Sequence, residues 1–222
     1  MSIQKALMWP GLVILLVPLA MAQDSAPAPA HDLVRDTTEQ VMVVVNEAQG
    51  YVDDDPERYY QGVQEILEPL IDFRGFARNV MGPYASSSRY RSLGEEDRAK
   101  LRAQLDAFTE VMRTSLVRTY SKGLLAFGSA RIEVLEPDDW DPQTARTSVR
   151  QHIFTDRSEP YVVLYQMGKN KENDWKLRNV IIESVNLGEI YRDQFQSSAR
   201  ELDGDLDKVI AEWTVVEVDV ED

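Results

Sequence analysis

Cysteine is absent from the 222-residue chain, and histidine occurs only twice. The lack of cysteine excludes disulfides, thiolate nucleophiles, cysteine-ligated zinc and lipid attachment to an N-terminal cysteine. Two histidines leave almost no basis for a histidine-rich metal site. Positive charge is also scarce, since 24 Lys and Arg stand against 38 Asp and Glu, for a formal net charge of −14. This charge argues against nucleic acid as a partner and against a polybasic membrane anchor.

The first 22 residues have the pattern of a secretory signal peptide. Lys5 precedes an uncharged, mostly apolar run over residues 6–22, which ends in a small-x-small triplet at residues 20–22. The run contains Pro18 and is shorter than the ~20 predominantly apolar residues that a membrane span needs. We therefore expect cleavage after residue 22 and export to a bacterial periplasm. An uncleaved membrane anchor is the alternative.

The rest of the chain predicts one α+β domain. Residues 23–31 are predicted to form a disordered Ala/Pro linker, residues 32–215 the domain, and residues 216–222 a frayed acidic tail. The first part of the domain has apolar residues at helical spacing, interrupted by turn residues, and the strand patterns come after it. The predicted helices cover residues 32–48, 57–67, 72–82, 94–123, 187–200 and 206–213, and the predicted strands 130–135, 145–154, 161–167 and 174–183.

Four local features allow more than one interpretation. Residues 41–45 are rich in valine and could form a strand, but the helical spacing extends well beyond them. The acidic run at residues 53–55 precedes a proline and favours a helix cap over a calcium loop. Residues 86–88, all serine, indicate a loop. Arg89 and Arg91 behind them could bind an anion, although a solvated surface loop is favoured.

Catalytic motifs are missing from the sequence. Nucleophile elbows, phosphate-binding loops, dinucleotide fingerprints and metalloprotease helices are all absent. His152 lies in a predicted strand beside Arg150 without an evident nucleophile, and the Glu183-Ser184 pair has no histidine partner. A proton-transfer pair of Asp and Tyr in a pocket stays open as an alternative, since spacing selects no particular pair.

The predicted sheet is rich in apolar and aromatic side chains. Strand alternation places Tyr161, Val163, Tyr165 and Met167 on one face of the third strand. On the fourth strand, the same alternation places Trp175, Leu177 and Ile181 on one face, with Asn179 interrupting the row. Val180 and Ile182 are then predicted on the opposite face. A plain hydrophobic core explains this pattern as well as a ligand pocket does, and periodicity alone favours the core.

Several segments of the chain form a recognisable series. The sequence reads DFRGFARNVMGPY at residues 72–84, PYVVLY at 160–165, WKLRNV at 175–180, IESVNL at 182–187 and YRDQF at 191–195, with a Leu- and Tyr-containing helix over 108–120. In this order, the segments resemble the MlaC, or toluene-tolerance, family. The resemblance spans most of residues 34–213, and the chain departs from the family at Asn179, where Asp is frequent.

The resemblance implies a non-enzymatic periplasmic phospholipid carrier that needs no cofactor. The implied partners are an inner-membrane ABC transporter with its MCE-type ring protein and an outer-membrane lipoprotein/porin complex, with which the carrier maintains lipid asymmetry. The implied fold is a twisted antiparallel sheet of about four strands, arranged with helices as in nuclear transport factor 2, with acyl chains between the layers. An isomerase or hydratase on a similar pocket and a periplasmic chaperone are the alternatives.

Combined with the strand and helix periodicities, this implied fold predicts which side chains line the lipid cavity. The predicted residues from the helices are Phe73, Phe76, Val80, Phe108, Met112, Leu116 and Tyr120, and those from the sheet are Val149, Val163, Tyr165, Leu177 and Ile181. We expect about half of them to contact lipid and the others to belong to the core.

Overall fold

A computed structural model describes residues 29–136, 141 and 143–215. The predicted signal peptide, most of the predicted linker and the acidic tail lie outside these residues. The helices are α1 (Ala30–Ala48), α2 (Pro56–Leu67), α3 (Phe73–Met81), α4 (Ser87–Ser92), α5 (Glu95–Leu125), α6 (Leu187–Glu201) and α7 (Leu206–Ala211), with a 3-10 helix at Gly82–Ala85. The strands are β1 (Arg131–Val134), β2 (Arg146–Phe154), β3 (Tyr161–Lys169), β4 (Trp175–Ile182) and β5 (Val185–Asn186).

Short polar side chains begin most of the helices. The Asp55 carboxylate accepts a hydrogen bond from the Arg58 N–H at the start of α2, and Pro56 is the first helical residue. The acidic run before α2 is therefore a cap, as the sequence predicted. Asp72 caps α3 in the same way by accepting from the Gly75 N–H. Each cap satisfies an N–H that the first helical turn leaves without an internal partner.

Two predicted boundaries differ from the structure. The serine run does not form a loop, because the Ser86 hydroxyl accepts from the Arg89 N–H and starts α4. Helix α1 begins at Ala30, so Ala30 and His31 belong to the domain rather than to a linker. His31 is buried, and its Nε2 lies 3.1 Å from a carboxylate oxygen of Glu136. Residues 41–45 are helical, which excludes their interpretation as a strand.

The sheet is an antiparallel meander in the order β1-β2-β3-β4-β5. The four predicted strands are all present, and the two-residue β5 adds a fifth at the edge by pairing with the end of β4. Consecutive strands are neighbours, so short turns suffice to connect them. The α+β fold class is confirmed, while the number of strands is five rather than four.

A β-bulge in β4 changes which residues face the helices. Met167 on β3 pairs with Leu177, whereas Gln166 pairs with Asn179, so Arg178 is an extra residue without a partner on β3. Because side chains alternate across a strand, one extra residue exchanges the two faces beyond it. Val180 therefore pairs beside Tyr165 on the inner face, the face towards the helices.

Three hydrophobic clusters hold the helices and the sheet together. The largest joins α3, the first half of α5, α6 and α7 around the rings of Phe108, Phe195 and Trp213. A second lies between the N-terminal end of α1 and one end of the sheet, and a third lies between α1, α2 and the second half of α5. Within the described residues, no helix is sufficiently long and apolar to span a membrane.

Candidate functional site

An apolar cavity of about 350 Å³ separates the inner face of the sheet from the helices. This volume lies in the range of small-molecule binding sites. The helices and the segments that flank them contribute mainly Val34, Val41, Met42, Leu67, Leu70, Ile71, Phe73, Phe76, Leu116, Val117, Tyr120, Leu124 and Phe127. The sheet contributes Ile132, Gln151, Ile153, Tyr161, Val163, Tyr165, Leu177, Arg178, Asn179, Val180 and Ile182.

Strand alternation produces the floor of the cavity. On β3, Val163 and Tyr165 point inward, and their partners across the strand pair are Ile182 and Val180. On β2, Gln151 pairs with Val163 and shares its face. The inner face is thus apolar over three adjacent strands, except at Gln151. A ring contact of 5.9 Å between Phe127 and Tyr161 connects the helical layer to the sheet.

Several polar groups in the lining are hydrogen-bonded within the protein. The Thr38 hydroxyl donates to the Val34 carbonyl at 2.8 Å, one helical turn earlier. The hydroxyls of Tyr120 and Tyr191 lie 2.7 Å apart. Asn179 accepts from the Gly188 N–H at 3.0 Å and donates to Asn186, the residue that caps α6. These contacts leave mainly hydrocarbon surface for a ligand.

Two other polar side chains, Gln151 and Tyr165, lie on the floor of the cavity. Gln151 is 3% exposed, and its Oε1 has no hydrogen-bond partner among the described residues. Burial raises the pKa of Tyr165 well above its ordinary value, although part of its side chain remains accessible. Its accessible surface therefore faces the cavity rather than bulk water, and its hydroxyl stays neutral at physiological pH.

An ion pair lies at the wall of the cavity beside the bulge. The guanidinium of Arg178, the extra residue of β4, contacts the carboxylate of Asp72, the residue that caps α3. The isolated bridge between Ile71 and Leu177 joins the same two segments through the backbone. The segment before α3 is thereby attached to the sheet, which positions Phe73 and Phe76 over the cavity.

The chemistry of the lining does not favour acid-base catalysis. No Asp, Glu or His lines the cavity within the part of the chain that the structure describes. The same described residues contain no group of three or more His, Cys, Asp or Glu that could hold a metal ion. A proton-transfer pair of Asp and Tyr would need a carboxylate beside Tyr165 or Tyr120, and neither has one in the lining.

The structure brings seven of the predicted site residues to the cavity and places five elsewhere. Those lining it are Phe73, Phe76, Leu116, Tyr120, Val163, Tyr165 and Leu177. Val80, Phe108 and Met112 are fully buried in the largest hydrophobic cluster. Val149 is on the inner face but is covered by Ala30 and Val34 of α1. Ile181 points to the opposite face because of the bulge, beside Leu164.

The sequence prediction missed two groups of lining residues. Val41 and Met42 of α1 and Leu67 of α2 belong to amphipathic patterns, but spacing does not reveal which layer each helix meets. Val180 and Ile182 were placed on the outer face by strict alternation. The interrupted row at Asn179 was the only sequence signal that alternation fails there.

Comparison with known proteins finds similar chains. A family model described as MlaC protein matches residues 35–215. The chain is 28% identical over 207 residues to the toluene tolerance protein ttg2D of Pseudomonas putida, and the match covers 91% of this chain and 87% of that protein. A solved structure of a phospholipid-binding protein from Ralstonia solanacearum, in complex with a phospholipid, matches with a TM-score of 0.62 and 19% identity. That match covers 83% of this chain and 98% of the other, and it shows a shared fold.

Proposed function

Because the chain belongs to the MlaC family, we propose that it is a periplasmic phospholipid carrier. The observation that carries the proposal is the apolar cavity of about 350 Å³ between the sheet and the helices. The fold is shared with a phospholipid-binding protein whose solved structure contains a phospholipid. Acyl chains occupy the cavity, and the seven predicted residues that line it, from Phe73 to Leu177, contact them.

The energetics fit a carrier that exchanges lipid with membranes. Burying one methylene is worth about 0.8 kcal/mol, so a two-chain lipid with roughly thirty methylenes gains about 25 kcal/mol on leaving water. This exceeds the ~20 kcal/mol at which non-covalent affinities saturate, so free lipid in water is not the relevant reference state. The cavity needs only to match a bilayer approximately. Lipid then moves in either direction, and no catalytic group is required.

The proposed route connects two membranes. The carrier receives or delivers lipid at an inner-membrane ABC transporter with an MCE-type ring protein, and exchanges it with an outer-membrane lipoprotein/porin complex, so maintaining lipid asymmetry. The formal net charge of −14 favours docking on protein partners over adhesion to anionic bilayers. The predicted signal peptide over residues 1–22 supplies export to the periplasm.

The alternatives are less well supported. An isomerase or hydratase would need a general acid or base in the cavity, whereas the described lining contains no carboxylate or histidine. A chaperone for unfolded chains would be expected to expose a broad apolar surface. Among the described residues, Val43 is the only large hydrophobic side chain that is strongly exposed.

Native mass spectrometry of the mature protein, purified from a bacterial periplasm without detergent, tests the proposal. We expect a stoichiometric mass increment that solvent extraction resolves into diacyl phospholipid. Incubation of the delipidated protein with phosphatidylglycerol and phosphatidylethanolamine liposomes should restore the increment. A bare polypeptide mass, both as purified and after the liposome incubation, would contradict the carrier function.

A further inference from the structure

A second concave surface carries an unusual concentration of arginine. It is a pocket of about 360 Å³ between α3, α4 and α5. The guanidinium-bearing residues in its lining are Arg74 and Arg78 of α3, Arg91 of α4 and Arg102 of α5, and we call it the four-arginine pocket. It shares no lining residue with the apolar cavity.

The positive charge of this surface stands against the charge of the whole chain. Residues 73–94 contain four arginines and no Asp, Glu or Lys, in a protein with a formal net charge of −14. Arg74 pairs with Asp106. Neither Arg78 nor Arg91 has an ion-pair partner among the described residues. Like charges gathered in a concave site repel one another, and a bound anion relieves that repulsion.

Contacts between α4 and α5 hold Arg102 and the helix that carries Arg91. Arg98 donates to the carbonyls of Tyr90 and Arg91 at 2.9 and 2.8 Å, which satisfies the end of α4. Arg102 donates to the Tyr90 hydroxyl, and the Arg98 and Arg102 guanidiniums lie 5.5 and 5.9 Å from the Tyr90 ring centre. These contacts attach the short helix α4 to α5, which positions Arg91 opposite α3.

The floor of the pocket is apolar and rigid. Ala85, Leu101 and Leu105 line it, and all three are buried in the largest hydrophobic cluster. All four arginine side chains are exposed around this floor, so their N–H groups are accessible to a ligand. Arginine, unlike lysine, presents a planar fork of N–H donors that matches the oxygens of a phosphate in pairs.

We propose that the four-arginine pocket binds a phosphate group. The group comes either from free phosphate compounds or from the head group of an anionic lipid at a membrane surface. The site is separate from the cavity that holds the acyl chains. It gives an acidic protein one local surface at which a phosphate is attracted while the rest of the protein is repelled.

The test is a pair of binding measurements at constant ionic strength. Pyrophosphate is titrated into the mature protein by calorimetry. In parallel, vesicles of phosphatidylcholine with 30% phosphatidylglycerol, and vesicles of pure phosphatidylcholine, are floated with the protein. Binding of pyrophosphate alone identifies free phosphate as the source, and capture by the phosphatidylglycerol vesicles identifies the head group. Binding in either assay supports the proposal only if substitution of the pocket arginines weakens it.

Matched variants assign the binding to this pocket. In the Arg78→Gln/Arg91→Gln variant we expect affinity to fall at least about tenfold, since charge-assisted hydrogen bonds contribute that much. Replacement of the same two residues by lysine keeps the charge, so affinity should fall less than in the glutamine variant. The control Lys122→Gln/Lys171→Gln removes the same charge from exposed positions outside the pocket and should change affinity less than about twofold.

Two results would overturn the proposal. One is no binding in either assay, and the other is equal weakening of binding by the Arg78→Gln/Arg91→Gln variant and by the Lys122→Gln/Lys171→Gln control. Phospholipid extracted per chain is measured for every variant. Unchanged lipid content shows that a loss of phosphate binding does not come from misfolding. Absence of lipid from the wild type would contradict the carrier function without bearing on the pocket.

Discussion

Replacing Val163 by tryptophan tests whether the apolar cavity holds the lipid. Val163 of β3 is 5% exposed and lies on the cavity floor. The indole adds about seven non-hydrogen atoms inside a cavity of about 350 Å³, so it occupies the room of about three methylenes. At about 0.8 kcal/mol per methylene, roughly 2.4 kcal/mol of acyl-chain burial is lost, which is about sixtyfold in affinity.

Lipid content and stability are measured together in this variant. We expect native mass spectrometry to find less than about one tenth of the wild-type phospholipid, because acyl chains that no longer fit return to the bilayer. Since the indole enters existing space, overpacking should cost no more than about 1–3 kcal/mol of unfolding free energy. Circular dichroism in urea checks that the variant is folded.

Ile181→Trp is the matched control, one strand away. Ile181 pairs with Leu164 on the outer face and does not line the cavity. We expect this variant to carry wild-type amounts of phospholipid. A folded Val163→Trp protein with stoichiometric lipid would refute the placement of acyl chains in the cavity. Equal loss of lipid in Ile181→Trp would refute the exchange of faces at the bulge.

Further predictions concern the core, the caps and alkaline pH. Phe108→Leu should cost about 1–3 kcal/mol of unfolding free energy in urea titrations but leave lipid per folded chain unchanged, because the ring packs between helices. Asp72→Ala and Asp55→Ala each remove a cap worth about 1 kcal/mol, and Asp72→Ala should cost up to about 1 kcal/mol more because it also frees Arg178. Burial raises the pKa of Tyr59, whose hydroxyl donates to a backbone carbonyl, to about 12. The folded state then keeps a proton that the unfolded chain releases near pH 10, so stability falls between pH 10 and 12. Tyr59→Phe should make that fall shallower while costing about 1 kcal/mol at pH 7. Loss of lipid in Phe108→Leu would contradict its assignment to the core. Equal losses of stability in Asp72→Ala and Asp55→Ala would contradict the role of the ion pair with Arg178. An unchanged fall of stability between pH 10 and 12 in Tyr59→Phe would contradict the argument from the raised pKa.

Local signals predicted most of the fold. The order of elements, the four long strands and the caps at Asp55 and Asp72 follow from residues close together in sequence. Periodicity and capping act within a few residues, so they can be identified without the tertiary structure. Ser86 was misjudged because serine favours both loops and helix caps, and a six-residue helix has too little pattern to decide between them.

The cavity lining was harder to predict because a helix shows its apolar face but not its neighbour. Helix α5 is 31 residues long. Its N-terminal part, up to Met112, packs against α3, α6 and α7, whereas its C-terminal part, with Leu116 and Tyr120, reaches the cavity. One continuous apolar stripe therefore serves two different environments. The sequence predicted the stripe, and helix packing decided where core ends and cavity begins.

The fold class, the excess of acidic residues and the supply of apolar side chains for the sheet can all be identified from the amino-acid sequence. The inner face of β4 cannot, because Arg178, a residue without a partner on β3, exchanges the faces beyond it. The same holds for Arg78 and Arg91, which come together from two helices only in the folded protein. Both cases have one cause. Alternation and helical spacing are local properties, whereas register, bulges and the contacts between elements depend on residues far apart in the chain.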